Sequence, residues 1–269
     1  MDKPERGFPN QMEFLSLPDR PKPRSEGVTV MSDTFVSMRD VEGLLETQSE
    51  TLDYAKIVHA GLFFGESLPP GWIRRKIELY RSKGIKTYPG GVPYQVALVH
   101  REQKQFFDWV KGMGFDGVEI AEDAINFPAP TPKSRADDIK MALDKGLFVD
   151  TELGKKLPDA PMDLVEAYDV MMADLELGVH RVVIERSELD YFIDKNPAPL
   201  VDLVNRVGLK NVILEPGPYG FPKYHLWCLK VFGPKANLSN IDKRSSSPCS
   251  RDCCRNTLLR HRRSTSIFG

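Results

Sequence analysis

Four glutamates, an aspartate and a lysine each follow a short apolar run in this chain, and side chains placed that way can bind a metal ion or move a proton. The runs are Val28-Thr29-Val30-Met31-Ser32 before Asp33, Leu52-Asp53-Tyr54-Ala55 before Lys56, and Gly117-Val118 before Glu119. Three more are Phe148-Val149-Asp150-Thr151 before Glu152, Val182-Val183-Ile184 before Glu185, and Val212-Ile213-Leu214 before Glu215. A buried carboxylate is costly unless compensated, so acids at the ends of buried strands are expected to share one polar site. With Glu122 they form a surplus of carboxylates. The compensators available are Lys56, Lys155, Lys156, Arg186 and a divalent cation. Hard oxygen donors in a chain of only five histidines favour Mg2+ over zinc. His59, after the second run, could act as a base but reads as structural or solvated, and the other histidines show no ligand spacing.

Two lysines and two glycines extend this set. Thr151-Glu152-Leu153-Gly154-Lys155-Lys156 places an acid, a glycine and two cations at one strand end. Lys86-Thr87-Tyr88-Pro89-Gly90-Gly91 ends another run with two glycines, whose backbone N–H groups could approach an anion, although a tight turn explains them as well.

Such residues need a scaffold that brings strand ends together. Strands are predicted to start near Val28, Tyr54, Lys86, Gly117, Leu147, Arg181, Asn211 and Ala236. Helices are predicted over Val41–Thr47, Trp72–Ser82, Gln103–Met113, Asp137–Asp144, Leu164–Glu176, Leu200–Val207 and Tyr224–Val231. Several stop at Gly84, Gly114, Gly146, Gly178, Gly208 or Gly233. Eight strands and seven helices predict a single-domain α/β fold, a (β/α)8 TIM barrel whose eighth helix is atypical or missing. A doubly wound sheet is the alternative, but the glycine-rich dinucleotide turn that usually follows its first strand is absent.

Length and composition agree with one barrel domain. The chain has 269 residues, 41% hydrophobic and 28% charged, an ordinary globular balance. No apolar run could span a membrane and Met1–Arg6 lacks the apolar centre of a signal peptide, so a cytoplasmic protein is expected. Residues 1–26 read as a Pro-rich arm, 27–241 as the barrel, and 242–269 as a basic Ser/Arg/Cys-rich tail of irregular structure. That tail holds seven basic and two acidic residues, a net +5, leaving −6 for the rest of a −1 chain. It reads as solvated rather than nucleic-acid-binding, and an out-of-frame or misjoined gene end is a further reading. Of the four cysteines, Cys249, Cys253 and Cys254 lie in the tail and Cys228 precedes it; reduced thiols are expected, not a metal cluster.

Five segments resemble the phosphosulfolactate synthase family: Asp53-Tyr54-Ala55-Lys56, Gly84 through Gly91, Gly114 through Ile120, Thr151 through Lys156, and Asn237-Leu238-Ser239-Asn240-Ile241. The resemblance runs from about Gly27 to Ile241. It implies a (β/α)8 barrel that adds sulfite to phosphoenolpyruvate with Mg2+. It also implies metal ligands at Asp33, Glu119, Glu152, Glu185 and Glu215, catalytic lysines at Lys56, Lys155 and Lys156, with Lys155 or Lys156 as proton donor, and substrate contacts at Tyr88, Gly90, Gly91 and Asn237. The loops depart from the family at Val58-His59-Ala60-Gly61-Leu62, Asp33-Thr34, Arg186-Ser187-Glu188-Leu189 and Pro216 through Phe221, where anion contacts would be expected.

Two functional readings follow. One is a Mg2+-dependent lyase acting on a small anionic substrate, with an acceptor that the altered loops could have changed. The other is a non-catalytic barrel serving as a stress-associated or interaction protein. Neither membrane nor nucleic acid is expected as a partner, and a missing eighth helix would expose apolar surface that invites homo-oligomerisation.

Overall fold

The computed structural model describes residues 21–34, 36–57, 68–122, 132–218 and 221–242. Eight parallel strands alternate with helices. The strands are β1 (Thr29–Asp33), β2 (Tyr54–Ile57), β3 (Lys86–Pro89), β4 (Gly117–Ile120), β5 (Phe148–Leu153), β6 (Arg181–Ile184), β7 (Val212–Leu214) and β8 (Asn237–Ile241). The helices are α1 (Met38–Gln48), α2 (Trp72–Arg81), α3 (Gly91–His100), α4 (Gln103–Met113), α5 (Pro132–Asp144), α6 (Leu164–Glu176), α7 (Arg186–Lys195), α8 (Ala198–Val207) and α9 (Lys223–Phe232).

The strand order is β3-β2-β1-β8-β7-β6-β5-β4, all paired in parallel. The two outer strands of that order meet through Asp116, whose N–H donates to the Thr87 carbonyl at 2.9 Å. Its carboxylate accepts from the Thr87 N–H at 2.8 Å. That side chain takes the place of a ladder carbonyl at the seam. The result is a (β/α)8 TIM barrel.

Side chains alternate across each strand, so the sheet has two apolar faces. Inside, Val30, Tyr54, Tyr88, Val183 and Ile213 pack with Phe148. Outside, Val118, Ile120, Val149, Val182, Ile184, Val212 and Leu214 pack under the helices. The described part of the N-terminal arm lies across the end where the strands begin. There Arg24 pairs with Asp53 at 2.8 Å, Asp53 caps the Thr29 N–H at 2.8 Å, and the Ser25 carbonyl accepts from buried Arg181 at 3.0 Å. Residues 243–269, with the expected irregular tail and three of the cysteines, lie outside the described residues. No described helix is long and apolar enough to cross a membrane.

All six glycines placed at predicted helix ends have positive φ. Two of the nine described helices, α3 and α7, are not expected from periodicity. Helix α3 buries Gly91, Pro93, Tyr94, Gln95 and Ala97, an apolar content too uniform to leave a stripe. Its Pro93 lies in the first turn, where a missing N–H costs no helical bond. Helix α7 starts directly at the end of β6 and buries Glu188 among Leu189 and Phe192, which interrupts its apolar pattern.

On the outer face Lys76 of α2, wholly buried, donates to Asp33 at 2.8 Å and to the Val36 carbonyl at 2.5 Å, and the Tyr80 hydroxyl donates to the second Asp33 oxygen at 2.8 Å. Removing one partner of such a pair strands the other charge. Lys76→Met is therefore expected to cost about 3–5 kcal/mol in urea denaturation. Adding Asp33→Asn should recover most of that loss; a double variant as unstable as the single would show that Asp33 does not depend on Lys76.

Candidate active site

The inward-facing positions at the strand ends carry the chemistry. Lys56 comes from β2, Glu119 from β4 and Glu152 from β5, while Glu185 and Glu215 directly follow β6 and β7. All five are buried. One carboxylate oxygen from each of Glu152, Glu185 and Glu215 lies within 4.8 Å of the other two. Beside this triad the Lys56 ammonium donates to Glu119 at 3.1 and 3.3 Å and to Glu215 at 3.1 Å. The second Glu215 oxygen accepts from the Asn240 side-chain amide. Lys156, on the loop after β5 and 43% exposed, reaches Glu185 at 3.2 Å.

These contacts shift the titration of Lys56 and Glu215. Burial alone would drain the proton from Lys56, but Glu119 and Glu215 overcome it and hold the ammonium well above its usual range. Lys56 is thus held as a cation. Burial pushes the Glu215 carboxyl up to about 7, opposed by Lys56 and reinforced by Glu185 and Glu119. Four buried carboxylates, Glu119, Glu152, Glu185 and Glu215, face two lysine ammoniums. Among the described residues carboxylates thus outnumber ammoniums at this end of the barrel, and one divalent cation would offset that excess. The donor set of three carboxylate oxygens suits a hard cation such as Mg2+.

Other residues named from the sequence lie elsewhere. Asp33 does not join the triad: Val30 faces the barrel interior, so Asp33 shares the outer face with Met31 and is spent on Lys76 and Tyr80. Asn237 is at the opposite end of its strand from the triad. Its amide donates to the carbonyls of Leu209 (3.0 Å) and Val212 (2.9 Å) and its oxygen accepts from the Val28 N–H (3.1 Å), so it clips strand beginnings and is not available to a substrate at the mouth. Three residues on, Asn240 is the asparagine that reaches the site. Glu122 pairs with Arg135 at 2.6 Å, and Arg135 also binds Asp174 at 2.7 Å.

Gly90 and Gly91 do lie at the mouth, but their N–H groups donate to the Ile57 carbonyl (3.2 Å) and to Glu119 (2.9 Å), and they are not open to an anion in this state. A Cβ on Gly91 would overlap that of Ala121, so close packing of α3 on β4 requires glycine there. Tyr88 projects into the interior, fully buried, and its hydroxyl has no hydrogen-bond partner among the described residues. Burial and the Glu119 charge raise its pKa well above the phenol value, so it remains a donor. Lys155 is exposed and, with Glu152, Gln95 and Arg135, lines a cavity of about 830 Å³ beside α3, α5 and α6. His59 and the departing loop Val58–Leu62 lie outside the described residues.

The geometry joins that of known proteins at two levels. Among solved structures, the YdjI aldolase from Escherichia coli K12 superposes with a TM-score of 0.55 at 12% identity, covering 91% of this chain and 92% of that one. An L-ribulose 3-epimerase gives 0.53 at 11% identity, covering 89% and 97%. At these identities the likeness is one of fold. In sequence, the phosphosulfolactate synthase of Methanothermobacter thermautotrophicus is 28% identical over 246 residues, 86% of this chain and 90% of the relative. That of Methanocaldococcus jannaschii is 30% identical over 224 residues, 80% and 86%. The family model described as (2R)-phospho-3-sulfolactate synthase (ComA) matches residues 18–255. With both relatives and the family model in agreement over most of its length, this chain belongs to the phosphosulfolactate synthase family and is an enzyme of the lyase/synthase type.

Proposed function

We propose that the protein catalyses conjugate addition of sulfite to phosphoenolpyruvate, or to a closely related enoyl acid, with Mg2+ bound by Glu152, Glu185 and Glu215. The observation that carries this reading is the buried triad beside Lys156. When bound, Mg2+ would supply Lewis-acid polarisation of the substrate carboxylate. Glu152, Glu185 and Glu215 would hold the ion through one carboxylate oxygen each.

Sulfite sulfur forms a bond to the methylene carbon as the carbon–carbon π pair moves to the neighbouring carbon. Lys156 delivers a proton to that carbon, which closes the electron count and leaves a saturated phospho-sulfo acid. Its position, half-exposed and 3.2 Å from Glu185, lets it recover a proton from solvent between turnovers. Lys56 stays charged throughout, easing the ionisation of Glu119 and Glu215 and preorganising the electrostatics of the site. Lys155 at the rim offers a second cation to the substrate's anionic groups.

A ligand that binds only the folded state raises its stability. Mg2+ and phosphoenolpyruvate together should therefore raise the unfolding temperature by more than either alone, and no joint shift would count against the metal-assisted site. The pH dependence without metal is also defined. A carboxyl raised from 4.5 to about 7 by burial binds more protons folded than unfolded between those values. In chelator-treated protein the Glu215 contribution is complete below pH 4.5 and is lost as pH rises through about 7. Urea melts at intervals across that range should show a decline that Glu215→Gln removes; an identical slope in the variant would assign it to other groups. Finally, Lys156→Ala should lower turnover by at least about 100-fold, as loss of a general acid does, while leaving the melt intact. Undiminished turnover would exclude Lys156 as the proton donor.

A further inference from the structure

Between Leu153 and Met162, which pack against the outer core, the loop carrying Lys155 and Lys156 has little burial of its own. Leu157 is 92% exposed, and Asp159 and Ala160 are exposed as well. Polar bonds from one place hold it. Glu188, 1% exposed in the first turn of α7, accepts from the Lys155 N–H at 3.3 Å through one oxygen and from the Met162 N–H at 2.9 Å through the other. The Ser187 hydroxyl donates to the Lys156 carbonyl at 2.5 Å. Glu185, directly ahead of the helix, takes the Lys156 ammonium at 3.2 Å.

Gly154 is shaped for this arrangement. It has φ +103°, and a Cβ there would stand 2.5 Å from Glu188 Cγ and 3.1 Å from Glu185 Cβ. The four residues Glu185–Glu188 thus supply one carboxylate of the triad, the partner of the Lys156 side chain, and bonds to the lysine loop at three backbone atoms.

We propose that Ser187 and Glu188 form a clamp that fixes Lys156 relative to the carboxylate triad, with Glu188 as a positioning residue for that lysine. The inference deepens, and rests on, the reading of Lys156 as the proton donor. A buried carboxylate that receives two backbone N–H groups from an otherwise exposed loop orders that loop without apolar packing. Because Glu185 and Glu188 lie on one rigid helical start, the lysine is referenced to the same element that presents the triad carboxylate.

The test is Glu188→Gln in the full chain, which preserves shape but turns one acceptor into a donor facing a backbone N–H. Amide exchange at Lys155 and Met162 should rise about tenfold, while β5 and α7 stay protected. Acetylation of Lys156 by acetic anhydride should accelerate. With sulfite and phosphoenolpyruvate, kcat should fall about tenfold with KM for phosphoenolpyruvate within about twofold, the pattern of a group acting in the transition state. Should Glu188→Gln fail to fold, Ser187→Ala, which removes one hydroxyl, is expected to move the same readouts in the same direction. Unchanged exchange and acetylation would overturn the clamp, and faster exchange with unchanged kcat would overturn its positioning role. A wild-type protein that adds no sulfite would defeat the proposed reaction alone, since exchange and acetylation judge the clamp without turnover.

Discussion

Four carboxylates can be buried at one end of a barrel only if positive charge is buried with them, and in this protein that charge is Lys56. Its ammonium touches Glu119 and Glu215 from the middle of β2, deep enough to be 4% exposed. Desolvating three such groups is costly, and the mutual attraction of close, hydrogen-bonded partners offsets it. The arrangement therefore constrains the fold around it. Strands β2, β4 and β7 must present their side chains inward at matching heights, or a carboxylate is left stranded. What remains after Lys56 and Lys156 are counted is a net negative triad, and the chemistry proposed for the site grows out of that residue of charge.

Another buried ion pair, Asp33 of β1 with Lys76 of α2, obeys the same rule on the outer face. It lies between β1 and α2 and is closed off by Tyr80 and by Trp72, whose ring is 4.1 Å from the lysine nitrogen. The two pairs separate the labour of the barrel. One fastens a helix to the outside, and the other sets the electrostatics of the mouth. Opposite the mouth, Asn237, Asp53 and Arg181 tie strand beginnings and the N-terminal arm together through backbone groups. The strand beginnings thus carry structural ties, while the candidate chemistry sits at the strand ends, as in other barrels of this architecture.

Much of this was legible in the sequence. The eight strand starts read from the sequence lie within a residue of those observed, and Glu152, Glu185 and Glu215 stood out because each follows a short apolar run. Asp33 shared that signature and yet faces outward, because a one-residue difference in where the run ends reverses the side chain. Val30 and Met31 are both apolar and both buried, so residue type does not show which face Asp33 takes. Asn237 and Asn240 sit in one pentapeptide, and three residues carry the strand from one end of the barrel to the other. Helix α3 hid behind Tyr-Pro-Gly-Gly, a sequence that also makes turns, and α7 behind a buried glutamate whose partners are backbone atoms. Such partners leave no trace in residue type, and that is why the lysine clamp was not visible before the fold.

The proposed chemistry depends on a divalent cation seated in the triad. The most direct measurement is anomalous diffraction from crystals grown with Mn2+ in place of Mg2+. One strong peak is expected at roughly 2–2.5 Å from oxygens of Glu152, Glu185 and Glu215, lost in Glu185→Gln. A triad without a peak at saturating Mn2+, with its carboxylates bound instead to lysine ammoniums, would contradict it.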